Sequence, residues 1–399
     1  MMGWTALLWA ALVVPPAWSG VDGAGLGPVE VVTPRGGPRV VYRSMVAPSL
    51  VAMRLSVPTE EPPGLRGATR LLQELVREEL EGSATAIGAR IELERAPGHA
   101  VYAIVGPRAS FEAMVALLRR AVTRPVGDPR EVAVARARVA RDALAALELP
   151  GARVRTGLLA ALFSTADTSA ASRRLDQWTA ADLEGFRRRY FVPDRMTVVV
   201  VGAVSLDAAA AAFTDWPAPA APPPLPAPSI PADSAPPPQA VARWAGIGWS
   251  VEGHDPAVLA VASTLVTRRL AGSGLSRARA ELWWSRDRLG FVVVGSALPG
   301  SETGTAPAQT LRRAIEQTAE QVRAEDVLDA RRSLRHELVF DARTPHGLAT
   351  LLGRFTERTG DPHAAAAFLD ALRRVDAGQV RAALLALVHG PPAVVEVAP

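Results

Sequence analysis

The sequence contains no cysteine, and this absence excludes several kinds of site. A disulfide framework, a lipid-attachment cysteine and a thiolate zinc site all require that residue. Lysine is absent too, so arginine supplies all 44 basic residues. The net charge is only +4, and the arginines alternate with acidic residues instead of clustering with aromatic ones. The composition therefore gives little support for nucleic-acid binding.

Length and apolar content predict two folded domains. The 399 residues exceed one typical core, and 49% hydrophobic with 21% charged residues is a globular composition. Residues 216–239 contain eleven prolines, which predicts an extended linker. We therefore expect an N-terminal lobe over residues 28–215 and a C-terminal lobe over residues 240–399.

The amino terminus has the features of a signal peptide. An apolar segment over residues 4–14 is followed by Ala17 and Ser19, small residues at the −3 and −1 positions of a cleavage site. We predict cleavage after Ser19 and export to the periplasm or the exterior. The alternative is an uncleaved membrane anchor, but the segment is shorter than the roughly 20 apolar residues of a span. No stable transmembrane span is expected.

The two halves repeat each other in sequence. At a constant offset of 195 residues, Val132, Ala135, Arg136, Val139 and Asp142 align with Val327, Ala330, Arg331, Leu334 and Glu337. The repeat predicts an internal duplication, with two homologous lobes of the same fold.

Hydrophobic periodicity predicts the elements of both lobes. Strands are expected over residues 29–41, 50–57, 91–105, 197–201, 241–250, 289–297 and 393–397. Helices are expected over residues 64–81, 110–124, 129–147, 179–190, 256–271, 308–323, 325–340, 364–374 and 377–387. Each lobe is therefore predicted to be α+β, with an antiparallel-rich sheet and helices on one face.

One short segment has the residue spacing of a metal-binding helix but lacks the metal ligands. Residues 67–75 have the order Gly-Ala-Thr-Arg-Leu-Leu-Gln-Glu-Leu. This order resembles the Gly-Leu-Ala-His-x-x-Glu-His signature of the insulinase, pitrilysin and mitochondrial processing peptidase family, whose inverted H-x-x-E-H motif binds zinc. Arg70 and Glu74 stand at the histidine positions, and Gln73 stands where the family has its general base. A guanidinium keeps its positive charge and cannot bind a dication.

The resemblance extends along most of the chain. The segment from Trp178 to Gly202 is similar to the family's closing helix and strand, and residues 87–102 are similar to its turn and substrate-binding strand. At the spacing of the third zinc ligand, a glutamate in the family, this sequence has Ala135. The resemblance thus implies the family fold without its catalytic residues, and zinc is not expected as a cofactor.

Four residues are candidates for contact with substrate. Glu92 stands where the family often has asparagine. Arg277 and Arg288 are similar to arginines of a second-half pattern, Ser-Arg-Leu then Arg-Gly-Leu-Ala-Tyr, whose arginine and tyrosine contact the substrate carbonyl. Phe291 stands near the tyrosine and lacks its hydroxyl. In the alternative interpretation these residues only cap a helix and begin a strand.

The histidines offer no other metal site. His336 and Glu337 begin a near match to H-E-x-x-H, but Phe340 occupies the second histidine position. We therefore predict a structural helix there, and none of the six histidines shows ligand spacing.

The expected function follows from the resemblance. It implies a non-catalytic subunit, a pseudoenzyme that pairs with a zinc-bearing homologue as a heterodimer and binds extended peptide along residues 91–105. One alternative is a structural subunit of an envelope complex. Another is a residual metallopeptidase, which no His, Cys or carboxylate cluster in the sequence supports.

Overall fold

The computed structural model describes residues 26–45, 49–61, 67–96, 98–163, 175, 178–222, 242–285, 288–297 and 306–397. The predicted signal peptide and most of the predicted linker, residues 223–239, lie outside these ranges.

The first lobe has one mixed sheet of six strands and six helices among the described residues. Its strands are β1 Glu30–Val32, β2 Arg39–Ser44, β3 Leu50–Pro58, β4 Arg90–Ala96, β5 His99–Pro107 and β6 Thr197–Gly202. Its helices are α1 Ala68–Ala86, α2 Phe111–Thr123, α3 Pro129–Glu148, α4 Pro150–Phe163, α5 Ala180–Tyr190 and α6 Leu206–Ala212. The strand order across this first sheet is β1-β2-β6-β3-β5-β4, and only β2 and β6 pair in parallel.

The second lobe has a four-stranded antiparallel sheet and six described helices. The strands are β7 Arg243–Ser250, β8 Ser276–Ser285, β9 Arg288–Ala297 and β10 Ala393–Val397, in the order β10-β7-β9-β8. The helices are α7 Pro256–Leu270, α8 Pro307–Gln321, α9 Ala324–Asp341, α10 Pro345–Thr359, α11 Ala364–Arg374 and α12 Ala377–His389.

The α+β class of both lobes agrees with the prediction, and both lobes follow the same order along the chain. From β3 in the first lobe and β7 in the second, the order is a strand, a helix, a hairpin and several helices. A later strand, β6 or β10, then pairs with the strand that began the order. The residues that repeat at an offset of 195 lie on α3 and α9, where Ala135 and Ala330 are both buried. A common origin of the two lobes stays a prediction.

Helix starts follow local sequence signals. Asp128 caps α3 by accepting a hydrogen bond from the Arg130 backbone N–H, and Pro129 occupies the first helical position. Thr179 and Asp182 cap α5 reciprocally, so that each side chain accepts from the other's backbone N–H.

Each sheet is covered on its second face by a helix of the other lobe. Along β3, Val51, Met53 and Leu55 face the first-lobe core, while Ala52 packs in the second-lobe core. Helix α10 lies against β3 and β6 on this second face. Reciprocally, α4 lies against β7 and β10 of the second sheet. The prediction of helices on one face of each sheet was therefore incomplete, because α4 and α10, here called the exchanged helices, each cover the second face of the other lobe's sheet.

Glycine permits the close approach of these two exchanged helices. A Cβ added to Gly353 on α10 would lie 2.4 Å from Arg54 Cδ on β3. A Cβ added to Gly157 on α4 would lie 2.9 Å from a Val395 methyl group on β10. Both helices therefore pack closer to the opposite sheet than a larger residue would allow.

Two predicted strands need correction, and four described elements were not predicted. The strands predicted over 29–41 and 91–105 are each a hairpin, β1–β2 and β4–β5, because a turn interrupts each run. The exchanged helices α4 and α10, the short helix α6 and the edge strand β8 were not predicted. The other predicted helices and strands are confirmed, with boundaries that differ by at most five residues.

The Glu184 carboxylate on α5 gives a pH-dependent contribution to stability. Burial would raise its pKa, but hydrogen bonds from Arg187, the Val126 N–H and Arg188 lower the pKa from 4.5 to about 2. A depressed folded-state pKa stabilises the fold above the unfolded pKa, and the stabilisation is lost as pH falls through the folded value.

We expect Glu184→Gln to destabilise the protein at pH 7 and the difference from wild type to shrink between about pH 4.5 and 2. Urea titrations across this range measure it, and a constant difference would contradict the ion-pair origin.

Candidate functional site

Helix α1 carries the residues at the zinc-motif positions, and a glutamate carboxylate caps its N-terminal end. Gly67 precedes it with φ +104°, a conformation that favours glycine. The Glu61 carboxylate accepts from the backbone N–H groups of Gly67 (2.9 Å) and Thr69 (2.7 Å). Sequence analysis did not anticipate this cap, which fixes the first turn of the helix.

Salt bridges neutralise the charges at the two histidine positions. Arg70 Nη2 lies 3.5 Å from Asp142 Oδ2 on α3. Glu74 Oε2 lies 2.9 Å from Arg77 Nε, and Glu74 Oε1 lies 3.8 Å from Arg138 Nη1 on α3. These positions therefore hold ion pairs that join α1 to α3.

Gln73, at the position of the general base, is buried and bound to backbone. Its side chain is 1% exposed, and Nε2 donates to the carbonyl oxygens of Glu94 on β4 (2.9 Å) and Val101 on β5 (3.2 Å). A neutral amide that acts as a donor cannot abstract a proton from water. The residue instead fastens α1 to the β4–β5 hairpin.

The third ligand position contributes no donor atom. Ala135 is buried in α3 and belongs to the first-lobe core. A groove of about 560 Å³ lies between α1 and α3, lined by charged side chains of both signs, including Glu74, Glu78, Arg124 and Arg138. No group of three His, Cys, Asp or Glu residues within the described ranges could hold a metal ion.

The near match at His336 is part of helix α9, as predicted. The His336 ring stacks on the Phe340 ring with centroids 6.0 Å apart.

Glu92 lies on β4, the edge strand of the first sheet. Its side chain is half-buried and 2.8 Å from Arg90 Nη2 on the same strand. Within the described part of the sheet, Glu92 therefore lies on a strand that has a neighbour on one side, and its role in substrate contact stays a prediction.

The three second-lobe candidates do not form one site. Phe291 is fully buried, with its ring 6.4 Å from Trp249, so its place in the core contradicts a substrate contact. Arg277 and Arg288 are exposed but lie at opposite ends of the β8–β9 hairpin, where Ser276 pairs with Ser296 and Ser285 with Arg288. Arg277 has φ +53° at a β-bulge, and Arg288 is 3.8 Å from Glu252.

A buried arginine at the contact between the lobes was missed by sequence analysis. Arg54 on β3 is 1% exposed. Its Nε and Nη2 donate to the two carboxylate oxygens of Glu357 on α10, at 2.7 and 3.2 Å, and its Nη1 lies 2.8 Å from Glu94 Oε2. Burial alone would lower the Arg54 pKa, but the two carboxylates raise it above its usual value. The only signal in the sequence is a charged residue inside an apolar strand.

Residue 94 is thus held from both faces of the sheet. Gln73 binds its carbonyl oxygen from α1, and Arg54 binds its carboxylate from the α10 side. The two contacts fix the edge strand β4 relative to both lobes.

Tyr102 on β5 lies next to this arrangement and has an unpaired hydroxyl. The ring is fully buried, burial raises its pKa, and its hydroxyl has no hydrogen-bond partner among the described residues. An unsatisfied buried hydroxyl costs about 1 kcal/mol or more. We expect Tyr102→Phe to raise the free energy of unfolding by about 1 kcal/mol, measured by urea denaturation.

Tyr42→Phe is the matched control for that variant. The Tyr42 hydroxyl is buried too, but it donates to the Val204 carbonyl at 2.5 Å. Its removal is expected to destabilise the protein by about 1 kcal/mol. If both variants shifted stability in the same direction, the assignment of Tyr102 as unsatisfied would be wrong.

Comparisons with known proteins agree with this geometry. Residues 177–251 match the family model described as the peptidase M16 inactive domain. No curated protein matches the sequence. Among solved structures, a protease from Helicobacter pylori is similar, with a TM-score of 0.81, 13% identity, and coverage of 93% of this chain and 100% of that one.

Two further structures extend the comparison. A peptidase M16 inactive domain from Pseudomonas fluorescens has a TM-score of 0.71 and 16% identity, with 93% of this chain and 98% of that chain covered. The periplasmic protease PqqL from Escherichia coli has a TM-score of 0.69 and 13% identity. The match covers 98% of this chain but only 49% of PqqL. At these identities the structures establish the fold.

The chain has the two-lobed fold of these solved structures, and an arginine, a glutamate and an alanine stand at the positions that correspond to zinc ligands in the family motif. Residues 177–251 are similar to the peptidase M16 inactive domain, and the fold is similar to that of a solved structure of such a domain. Arg70, Gln73 and Glu74 replace the three defining residues of the H-x-x-E-H pattern, and Ala135 stands at the position of the third ligand.

Within the described residues, no helix is both long enough and apolar enough to span a membrane.

Proposed function

We propose that this chain is the non-catalytic subunit of a processing peptidase, which holds extended peptide along β4 and pairs with a zinc-bearing homologue. The observation that carries the proposal is that the edge strand β4 has one side without a neighbouring strand in the described sheet and is held in place by side chains from both faces of that sheet. Among the described strands, β4 pairs only with β5, and residue 94 is fixed by Gln73 and Arg54.

Strand addition suits such an edge. An extended peptide gains main-chain hydrogen bonds from a free strand, and side-chain pockets add selectivity. A strand that is already fixed loses little conformational freedom when the peptide binds. The contacts of Gln73 and Arg54 therefore favour binding, although neither residue needs to touch the peptide.

Pairing with a second chain is supported by the greater length of PqqL. This chain corresponds to about half of that protease, which leaves room there for a second unit of similar size. We propose that a separate zinc-bearing chain takes that second place here. Pairing would supply the metal, which Arg70, Gln73 and Ala135 are not suited to bind.

Export is part of the same proposal. PqqL is described as periplasmic, and the first 19 residues of this chain have the composition of a signal peptide. We propose that the mature chain begins after Ser19 and acts in the periplasm or outside the cell.

Peptide binding can be tested with a panel of fluorescein-labelled peptides of about ten residues and mixed sequence, using fluorescence anisotropy. Each peptide is paired with a copy that carries N-methyl groups on alternate backbone nitrogens. Strand addition predicts that the N-methylated copies bind far more weakly, because they cannot pair with β4. Equal binding of both copies would exclude strand addition, and no binding of any peptide would remove the peptide-binding role.

Pairing is tested by co-expression with an H-x-x-E-H homologue encoded in the same genome. We expect the two chains to co-purify and to cleave peptides faster than the zinc-bearing chain alone. Co-purification without any effect on cleavage would favour an assembly subunit instead.

A further inference from the structure

Helix α10 carries two arginines on successive turns beside the contact between the lobes. Arg354 is exposed and Arg358 is half-buried. They are four residues apart, so they lie on one helical face and repel each other. Such a pair lowers stability unless an anion neutralises it.

Within the described residues, no carboxylate forms an ion pair with either side chain. The adjacent Glu357 is 6% exposed, and both of its oxygens bind Arg54. Asp361 lies just beyond the helix, and its Oδ1 accepts from the His363 backbone N–H at 2.9 Å. The two acidic residues that neighbour the arginines in the chain therefore already bind other donors.

The Arg358 guanidinium rests on an aromatic platform. Its Cζ lies 3.0 Å from the centroid of the Trp284 ring on β8, a separation that requires a stacked guanidinium. Stacking leaves the N–H groups in the guanidinium plane, directed past the edge of the ring. Burial and the nearby Arg354 lower the Arg358 pKa, and Glu357 offsets this only in part. The stacking on Trp284 thus fixes the Arg358 guanidinium, whose N–H donors and positive charge have no carboxylate partner among the described residues.

A third arginine comes from the first lobe. Arg39 Nη1, at the start of β2, donates to the carbonyl of Gly360 at the C-terminal end of α10, at 3.1 Å. This contact satisfies a helix-end carbonyl, which reduces the negative potential of the helix terminus. Arg39 and Arg358 therefore both lie at the C-terminal end of α10, and Arg354 lies about one turn before Arg358.

The contacts of Arg54 connect β4 to the part of α10 that carries Arg354 and Arg358. Arg54 binds Glu94 of β4 and Glu357 of α10 at the same time, so these two carboxylates lie side by side. Arg358 follows Glu357 directly in the chain. The arginine pair therefore lies on α10 within one turn of the glutamate that Arg54 connects to β4.

We infer that Arg354 and Arg358, on the Trp284 platform, form a binding site for a carboxylate of the peptide held on β4. The inference rests on the proposed function and adds a substrate class: peptides with a free C-terminus or an acidic side chain at this point. The stacked Arg358 presents two parallel N–H donors, and Arg354 adds charge from the neighbouring turn.

The test compares ligands that differ in one carboxylate. The same ten-residue peptides are made as free acids and as C-terminal amides, and, in a second pair, with internal glutamate or glutamine. We expect wild type to bind one carboxylate form about tenfold more tightly than its neutral partner. The pair that shows the difference identifies the C-terminus or the side chain as the source.

Variants locate the effect. Arg358→Gln combined with Arg354→Gln is expected to abolish the preference, and Arg358→Lys to retain part of it, because lysine keeps charge without the fork. Arg313→Gln, at an exposed arginine of α8, is the matched control and should change nothing. Melting temperatures verify folding, and Arg354→Gln alone should not lower them because it removes repulsion.

A short ligand separates this inference from the proposed function. N-acetyl-diglycine is too short for extended strand pairing, and its binding is compared with that of its amide by NMR. Binding of the acid alone, lost in the double variant, would support the site even if no ten-residue peptide bound. If no acid bound more tightly than its neutral partner, the inference would be wrong, while strand addition would stand on its own test.

Discussion

Replacing Arg54 with methionine is expected to lower the free energy of unfolding by about 3 to 5 kcal/mol. The guanidinium is 1% exposed and neutralises Glu357, which is 6% exposed, together with Glu94. Methionine fills a similar volume but leaves two carboxylates facing an apolar side chain. The cost comes from the uncompensated charge on Glu357, which has little access to water.

Two controls isolate that charge. Arg77→Met removes a half-buried arginine of α1 that pairs with Glu74 and Glu81, and it should cost about 1 kcal/mol or less. Adding Glu357→Gln to Arg54→Met should recover much of the lost stability, since no buried charge then remains unpaired. Chemical denaturation measures all three variants. A loss below about 1 kcal/mol for Arg54→Met would show that the pair does not hold the lobes together.

Restoring a glutamate at position 73 is expected to destabilise the protein by about 2 to 4 kcal/mol at pH 7. The Gln73 amide donates to two backbone carbonyls, whereas a carboxylate there would place oxygen against oxygen. Burial and these carbonyls would raise the pKa of the new carboxyl group. A raised folded-state pKa means that the destabilisation is small below the unfolded value near 4.3 and grows as pH rises above it.

Gln73→Met serves as the matched variant. It loses the donor without adding charge, and we expect a loss of about 1 kcal/mol that does not depend on pH. Denaturation of Gln73→Glu and Gln73→Met at pH 4 and pH 8 gives the comparison. If Gln73→Glu were as stable as wild type at both pH values, the amide would not fasten α1 to the hairpin.

Sequence patterns predicted most of the elements whose apolar face packs within their own lobe, although β8 and the short helix α6 were missed. Helix α3 has a proline start, an aspartate cap and a buried face with Val132 and Val139, and it was predicted almost to the residue. The exchanged helix α4 was missed because it follows α3 after one residue and buries its apolar side chains against the other lobe's sheet. Helical periodicity does not indicate which partner covers a face.

The candidate site could be predicted only in part. The replacement of the zinc ligands is visible in the sequence, but the new role of Gln73 depends on where the carbonyls of Glu94 and Val101 lie. Phe291 was a candidate by resemblance alone, and its burial depends on strand register. Arg54 and Glu357 are 303 residues apart, so no local pattern connects them.

The central claim is that the first-lobe motif no longer binds zinc and that the chain does not cleave peptides by itself. The most direct measurement is the zinc content of the purified chain after dialysis against zinc, by mass spectrometry, together with peptide hydrolysis by the same sample. We predict substoichiometric zinc and no hydrolysis, with neither changed by a chelator. Stoichiometric zinc that the variant Glu74→Gln loses, accompanied by chelator-sensitive cleavage, would contradict the claim.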